Sequence, residues 1–321
     1  MRRFTALVNP ISGGGHAEEV WRPILKRLTG AKAKVKTVTT TGRAHALDQA
    51  CAAATKGQIV VAVGGDGLVR DVAGGVRAAG GVMGIVPAGR GNDFANLLRI
   101  PTDAVAVATM LLNAPAKPID LIEVNGVHVP GNVYIGIDSL ATRIINGNRR
   151  VPPRLLYRLA PVAAILKWRP ARYTLIDDNG RTSFTGHTVV VANSGVYGHG
   201  LRIVPPARLD DGRLHVMTVG DLPRRAIVSF MRQAERGEHL GRDRVDVRTT
   251  TEVTIDADRP IPVCADGDEV TRLPATIRTH RHAISVIAPA RTSRPTKRAS
   301  EREEDTRRHV VPGSRPRLDD A

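Results

Sequence analysis

Ile59-Val60-Val61-Ala62-Val63-Gly64-Gly65-Asp66-Gly67 decides the fold. Five apolar residues, three of them valine, suit a strand buried on both faces, and the paired glycines end it. Beyond them Val69, Val72, Ala73 and Val76 fall at i, i+3, i+4 and i+7, which is one face of a helix. Working outward, short apolar runs recur at 4–8, 35–38 and 82–86, with helix-length segments at roughly 16–29, 43–56, 68–79 and 103–113. Strands and helices that alternate in this way predict an α/β fold, a doubly wound parallel sheet over residues 1–118. Ligands in such sheets bind beyond the carboxyl ends of the strands.

After Lys117-Pro118 the pattern changes. Short β-rich runs follow at 119–124, 133–137, 173–176, 187–192, 214–219, 251–255 and 283–287, several of them separated by turn pairs such as Asn125-Gly126, Asn179-Gly180 and Asp211-Gly212. They predict a second, mainly antiparallel domain over 119–290, a sandwich or barrel. One helical segment, 155–168, interrupts it, with a kink expected at Pro161. Residues 291–321 are Arg-, Glu-, Asp- and Pro-rich with almost nothing apolar, a composition that predicts a disordered charged tail.

The 321 residues carry a net charge of +16, of which +13 lies on residues 1–290. Such a balance suits an anionic partner. Aromatic residues make up only 3% of the chain, which argues against nucleic acid, whose readers interleave aromatics with bases. No run of eighteen apolar residues is present, and the first five residues lead straight into a strand. Cys51 and Cys264 lie far apart and read as two reduced thiols. These features together predict a cytoplasmic protein.

Three glycine-rich loops each follow a predicted strand: Asn9-Pro10-Ile11-Ser12-Gly13-Gly14-Gly15, Gly64-Gly65-Asp66-Gly67 and Pro87-Ala88-Gly89-Arg90-Gly91-Asn92-Asp93. Glycine lets backbone N–H groups approach phosphate oxygens, and a following helix N-terminus adds positive potential. One such loop is an ordinary turn. Three at the carboxyl ends of strands in one sheet converge on a phosphate site. The Walker pattern is absent, and no GxGxxG opens the first helix.

With Gly136-Ile137-Asp138-Ser139, the segment 192–200, 205–212 and Ala265-Asp266-Gly267-Asp268, these loops resemble the diacylglycerol kinase catalytic domain family, which includes bacterial soluble lipid kinases and sphingosine kinases. The resemblance covers about residues 3–290. It implies an ATP- and magnesium-dependent lipid kinase with diacylglycerol as the first choice of acceptor. ATP would be held by Asn9, Pro10, Ile11, Ser12, Gly13 and Thr40 on one side. Gly65, Gly67, Leu68, Val69, Arg70 and Asp71, with Gly89, Arg90, Gly91 and Asn92, would hold it on the other. Asp66 would be positioned toward the catalytic magnesium, Asp266 and Asp268 would sit by the transferred phosphoryl group, and Asp268 would accept the proton. Asp211 would hold a structural magnesium with the backbone carbonyls of Arg208 and Arg213. A sphingoid-base kinase, an NAD kinase and a nucleotide binder of low activity stand as alternatives.

The sequence departs from the family pattern at three places. Leu68 stands where the bacterial members usually have Thr, Arg90 where a small hydroxyl residue is usual, and Asp268 where the family has Glu. Asp71 stands for a Glu. The expected partners are a membrane lipid and the anionic inner face of a membrane, with homodimerisation left open. The segment 149–172, with Arg149, Arg150, Arg154, Arg158, Lys167, Arg169 and Arg172 and no acidic residue, is the expected docking patch. His280-x-His282 reads as a strand-surface pair rather than as metal ligands.

Overall fold

The structure, a computed structural model, describes residues 1–148, 151–196 and 200–289, with the backbone alone at 153, 154, 157 and 158. Arg149, Arg150, the side chains of Arg154 and Arg158, and the 291–321 tail therefore lie outside the described residues.

Strands β1 (Arg3–Val8), β2 (Lys34–Thr39), β3 (Ile59–Gly64) and β4 (Val82–Pro87) alternate with α1 (Ala17–Gly30), α2 (Arg43–Thr55) and α3 (Asp66–Ala78). All their pairings are parallel, in the order β4-β3-β1-β2. β1, β3 and β4 are buried along nearly their whole length, as their continuous apolar runs require, while the mixed sequence of β2 suits the half-exposed edge. Helices α4 (Asp93–Leu97) and α5 (Ala104–Asn113) follow, and α5 packs on α1 while α2 packs on α3. At the second contact Gly75 has no room for a Cβ, which would meet Ala50 Cβ at 2.7 Å.

The mainly antiparallel sandwich comprises β5 (Ala116–Val124), β6 (Val127–Val129), β7 (Asn132–Gly136), β8 (Ala171–Asp177), β9 (Gly180–Ala192), β10 (Leu214–Gly220), β11 (Val245–Thr250), β12 (Glu252–Ala257), β13 (Pro262–Ala265), β14 (Asp268–Arg272) and β15 (Ala275–Ile287). Along β9, Val189 and Val191 enter one apolar core while Val190 and Ala192 enter another, the alternation expected of a strand with both faces covered. β15 joins the two lobes. Its first half pairs antiparallel with β12, and Ser285 and Val286 then pair in parallel with Val82 and Met83 of β4.

The second lobe carries more helix than its sequence suggested. Besides α7 (Pro153–Lys167), which spans the expected segment and includes Pro161, it holds α6 (Ile137–Gly147) and α8 (Arg224–Arg236). α6 was hidden because it starts directly from β7 at Gly136, whose φ of +108° turns the chain with no loop between. The apolar run 133–137 therefore spans a strand and the start of a helix. In α8, the buried Ile227, Phe230 and Ala234 follow helical spacing.

Candidate active site

The parallel register sets the three glycine loops at one level, since Val8 pairs with Val63 and Gly64 with Pro87. Asn9 N donates to Val63 O (3.1 Å) and Ala88 N to Gly64 O (2.9 Å), which ties the loops edge to edge. A Cβ at Gly89 would overlap the Gly65 Cα, and Gly13, at φ +61°, would place one 2.6 Å from Ala88 O. Only glycine allows this approach. Asn9, Ile11, Ser12, Gly13, Gly65, Gly89 and Arg90 line a crevice of about 310 Å³ that Asn146 and Leu156 of the second lobe close.

Other residues of the expected nucleotide set support the loops from behind. Thr40 is buried, and its amide and hydroxyl both donate to Val8 O. Leu68 packs beneath the turn at Gly64, and Val69 lies in the core of the first lobe. Asn92, at φ +55°, accepts from Gly89 N (2.8 Å) and donates to Gly89 O (3.0 Å), bracing the third loop. Pro10 sits in the turn after β1 and is not part of the crevice lining. Asp71 faces Arg70 and Arg43 at 3.5 and 3.4 Å.

A second cavity, of about 810 Å³, adjoins the crevice, and Ile145 and Asn146 border both. One end is acidic, with Asp66, Asp93, Asp266 and Asp268 beside Gly67 and Gly91. Apolar side chains of the three second-lobe helices, among them Ala141, Ala164, Ile165, Ile227 and Met231, wall much of the rest, with Asp138 and Glu235 of α6 and α8 also in the lining. Asp66 opens α3, and its Oδ1 accepts from Phe94 N (3.2 Å). Burial raises its pKa against that hydrogen bond. Asp266 and Gly267 form the turn of the β13–β14 hairpin, both with positive φ, and Gly267 N donates to Tyr134 Oη (3.0 Å). The turn points Asp266 into the site, where burial, reinforced by Asp66, pushes its pKa up to about 8. Asp268 Oδ2 meets Arg70 Nη1 at 3.2 Å.

These carboxylates fit a magnesium ion. Asp266 Oδ2 is buried with no hydrogen-bond partner among the described residues, and the surrounding donors are hard oxygens. The Asp211 loop is arranged differently. Asp211 Oδ1 accepts from Arg213 N (3.0 Å) and Oδ2 lies 2.9 Å from His215 Nε2, while Gly212 N donates to Asp120 Oδ2 (2.6 Å). The Arg208 side chain forks onto Asp210.

Glu123, His128 and His280 bring three ligand-type atoms within 4.8 Å of one another. Arg77, which can only donate, lies 3.0 Å from His280 Nδ1, so the ring proton sits on Nε2 and is given to Glu123 (2.6 Å). A neutral imidazole ligating through Nε2 carries its proton on Nδ1, so this ring is set for hydrogen bonding. The backbone amide of His282 donates to Asp120 Oδ1 (2.7 Å).

Residues 3–124 match the model of the diacylglycerol kinase catalytic domain, and residues 131–288 match that of the YegS C-terminal NAD kinase beta sandwich-like domain. A diacylglycerol kinase of Mycobacterium tuberculosis is 32% identical over 297 residues, covering 89% of this chain and 95% of the relative. The chain belongs to the diacylglycerol kinase family. The Bacillus subtilis diacylglycerol kinase is 26% identical, covering 90% of this chain and 97% of its own. A crystal structure of a diacylglycerol kinase from Bacillus anthracis shares the fold at a TM-score of 0.70 and 17% identity, over 91% of this chain and 98% of that one. The protein is a lipid kinase by family.

Some residues that shape the candidate site carry no signal of their own in the sequence. Asn132 Oδ1 accepts from the amides of both Asn193 and Ser194, which fixes the 192–196 loop against β7. Tyr134 holds the hairpin turn. Both lie in an ordinary apolar strand, and only the tertiary pairing shows what they do.

Proposed function

We propose that this protein transfers the terminal phosphoryl group of ATP to the free hydroxyl of diacylglycerol, giving phosphatidic acid. One observation carries the reading: a crevice bounded by three glycine loops adjoins a cavity with a cluster of four aspartates at one end and a largely aliphatic helical wall. That division suits an acceptor with one hydroxyl to phosphorylate and long chains to bury. Loop amides and the Arg90 guanidinium face the triphosphate. Magnesium bound with ATP would sit on Asp66 and Asp266 and would offset charge on the phosphate oxygens. Asp268 takes the hydroxyl proton as the phosphoryl group transfers, because a lipid alcohol is a poor nucleophile until it loses that proton. Arg70 keeps the Asp268 carboxylate turned into the cavity.

The test is incubation with γ-labelled ATP, magnesium and a panel of diacylglycerol, sphingosine and NAD. Label in the diacylglycerol product supports the proposal. Label in sphingosine alone moves the acceptor to a sphingoid base, and label in NAD alone overturns a lipid acceptor.

A further inference from the structure

Helix α7 has two apolar faces. Leu156, Ala160 and Ala164 are buried, and Pro161, Ala164 and Ile165 wall the acceptor cavity. On the opposite side Leu155, Leu159, Val162 and Leu166 are 49, 53, 52 and 63% exposed, at spacings of four, three and four residues that put them on one stripe. Val228 on the neighbouring α8 is also exposed. Single exposed leucines are normal, but a continuous row along one helix marks an interaction surface.

The charge around the stripe identifies what it meets. At its carboxyl end lie Lys167, the exposed Arg169, and Arg224, whose guanidinium reaches Trp168 O (3.4 Å). Arg259 stacks over the Trp168 ring at 5.1 Å and pairs with Asp258 at 3.4 Å. An apolar stripe with basic residues at its end is the pattern of a helix lying in the headgroup region of an anionic bilayer. A second copy of the chain fits less well, because four half-exposed aliphatic side chains offer far less than the roughly 800 Å² per partner of a standard interface. No described helix is long and apolar enough to cross a membrane.

We infer that α7 docks flat on an anionic membrane through Leu155, Leu159, Val162 and Leu166, so that one helix separates the bilayer that supplies the acceptor from the cavity walled by its other face. The inference rests on the lipid-kinase reading for its purpose, but the contact itself does not depend on turnover. It also shifts the work of docking from the arginines of the segment to its leucines, with the basic residues adding attraction.

The experiment pairs Leu159→Glu with Leu166→Glu in the full chain and measures sedimentation with vesicles of phosphatidylcholine containing about one-third phosphatidylserine. Both residues lie on the exposed face, and circular dichroism checks that the variant is folded. Wild type should pellet with the vesicles, less so with added salt, and the variant should bind at least about tenfold more weakly. Phosphorylation of dispersed dioctanoylglycerol should be unchanged while that of vesicle-borne diacylglycerol falls. A folded variant that pellets like wild type overturns the inference, as does a wild type that ignores vesicles. So does a wild-type dimer, seen by sedimentation velocity without lipid, that the substitutions dissociate. Vesicle binding lost as expected with no activity toward either lipid leaves the docking surface standing and rejects the kinase reading alone.

Discussion

Arg70 and Asp268 meet at 3.2 Å across the two lobes, the guanidinium only 7% exposed and the carboxylate 46%. The contact joins the helix after the second glycine loop to the hairpin turn of the second lobe, and it does so where the family's Glu is shortened to Asp. A buried cation faces the shorter acid and fixes its direction. Arg70→Met should leave the buried Asp71 with the half-exposed Arg43 alone while Asp268 rehydrates, lowering stability by about 1–2 kcal/mol and kcat by more than the ATP KM changes. Urea denaturation and steady-state kinetics check both. Unchanged kcat in a folded variant would show that Asp268 needs no such partner.

Asp268→Glu restores the family residue, and it should keep most of the activity, whereas Asp268→Ala should lose about 10²- to 10⁴-fold in kcat. Equal losses in the two variants would separate Asp268 from proton transfer.

Asp66→Asn keeps an oxygen for the Phe94 amide and so should fold normally. Removing the charge should still lower turnover by about 10²- to 10³-fold, because charge on the transferring group is then poorly offset. Initial rates at saturating ATP are the measurement, and near-normal turnover would take Asp66 out of the mechanism.

Arg90 lies in the crevice lining where the family usually has a small hydroxyl residue. Arg90→Ala should raise the ATP KM and leave lipid KM in place. A gain in activity would mean that the arginine obstructs the crevice instead.

Asp266 gives a pH signature. Its folded pKa of about 8 lies above the ordinary carboxylate value near 4, so between those values the native state holds a proton that the unfolded chain has released. Stability is fully present below about pH 4 and falls as pH rises toward 8. Without magnesium, the melting temperature should therefore drop between pH 5 and 8 more steeply in wild type than in Asp266→Asn. Parallel slopes would place the buried proton elsewhere.

The sequence made the first lobe legible because its signals are local. Valine runs, glycine turns and the 69–76 helical spacing each lie within about a dozen residues, and the three loops follow the strands as drawn. The second lobe was harder. α6 begins without a loop, and α8 carries its helical spacing among charged residues, so neither interrupted a β-rich reading. The site showed the same divide. Asp66, Asp266 and the glycines stand in short motifs, and the structure brings them together. Asn92 stands in one of these motifs, Leu68 and Val69 directly after another and Thr40 apart from all of them, yet their side chains brace the loops from behind, which spacing alone does not reveal. Arg70 pairs with a residue 198 positions away, a relation that no window along the chain contains.

The most direct test of the central claim is mass-spectrometric detection of phosphatidic acid formed from diacylglycerol, ATP and magnesium, with Asp268→Ala run in parallel. Phosphatidic acid should accumulate with time in the wild-type reaction and fall at least about 10²-fold in the variant. Wild-type protein that is folded and binds ATP but forms no phosphorylated lipid, or equal product from both proteins, would contradict that claim.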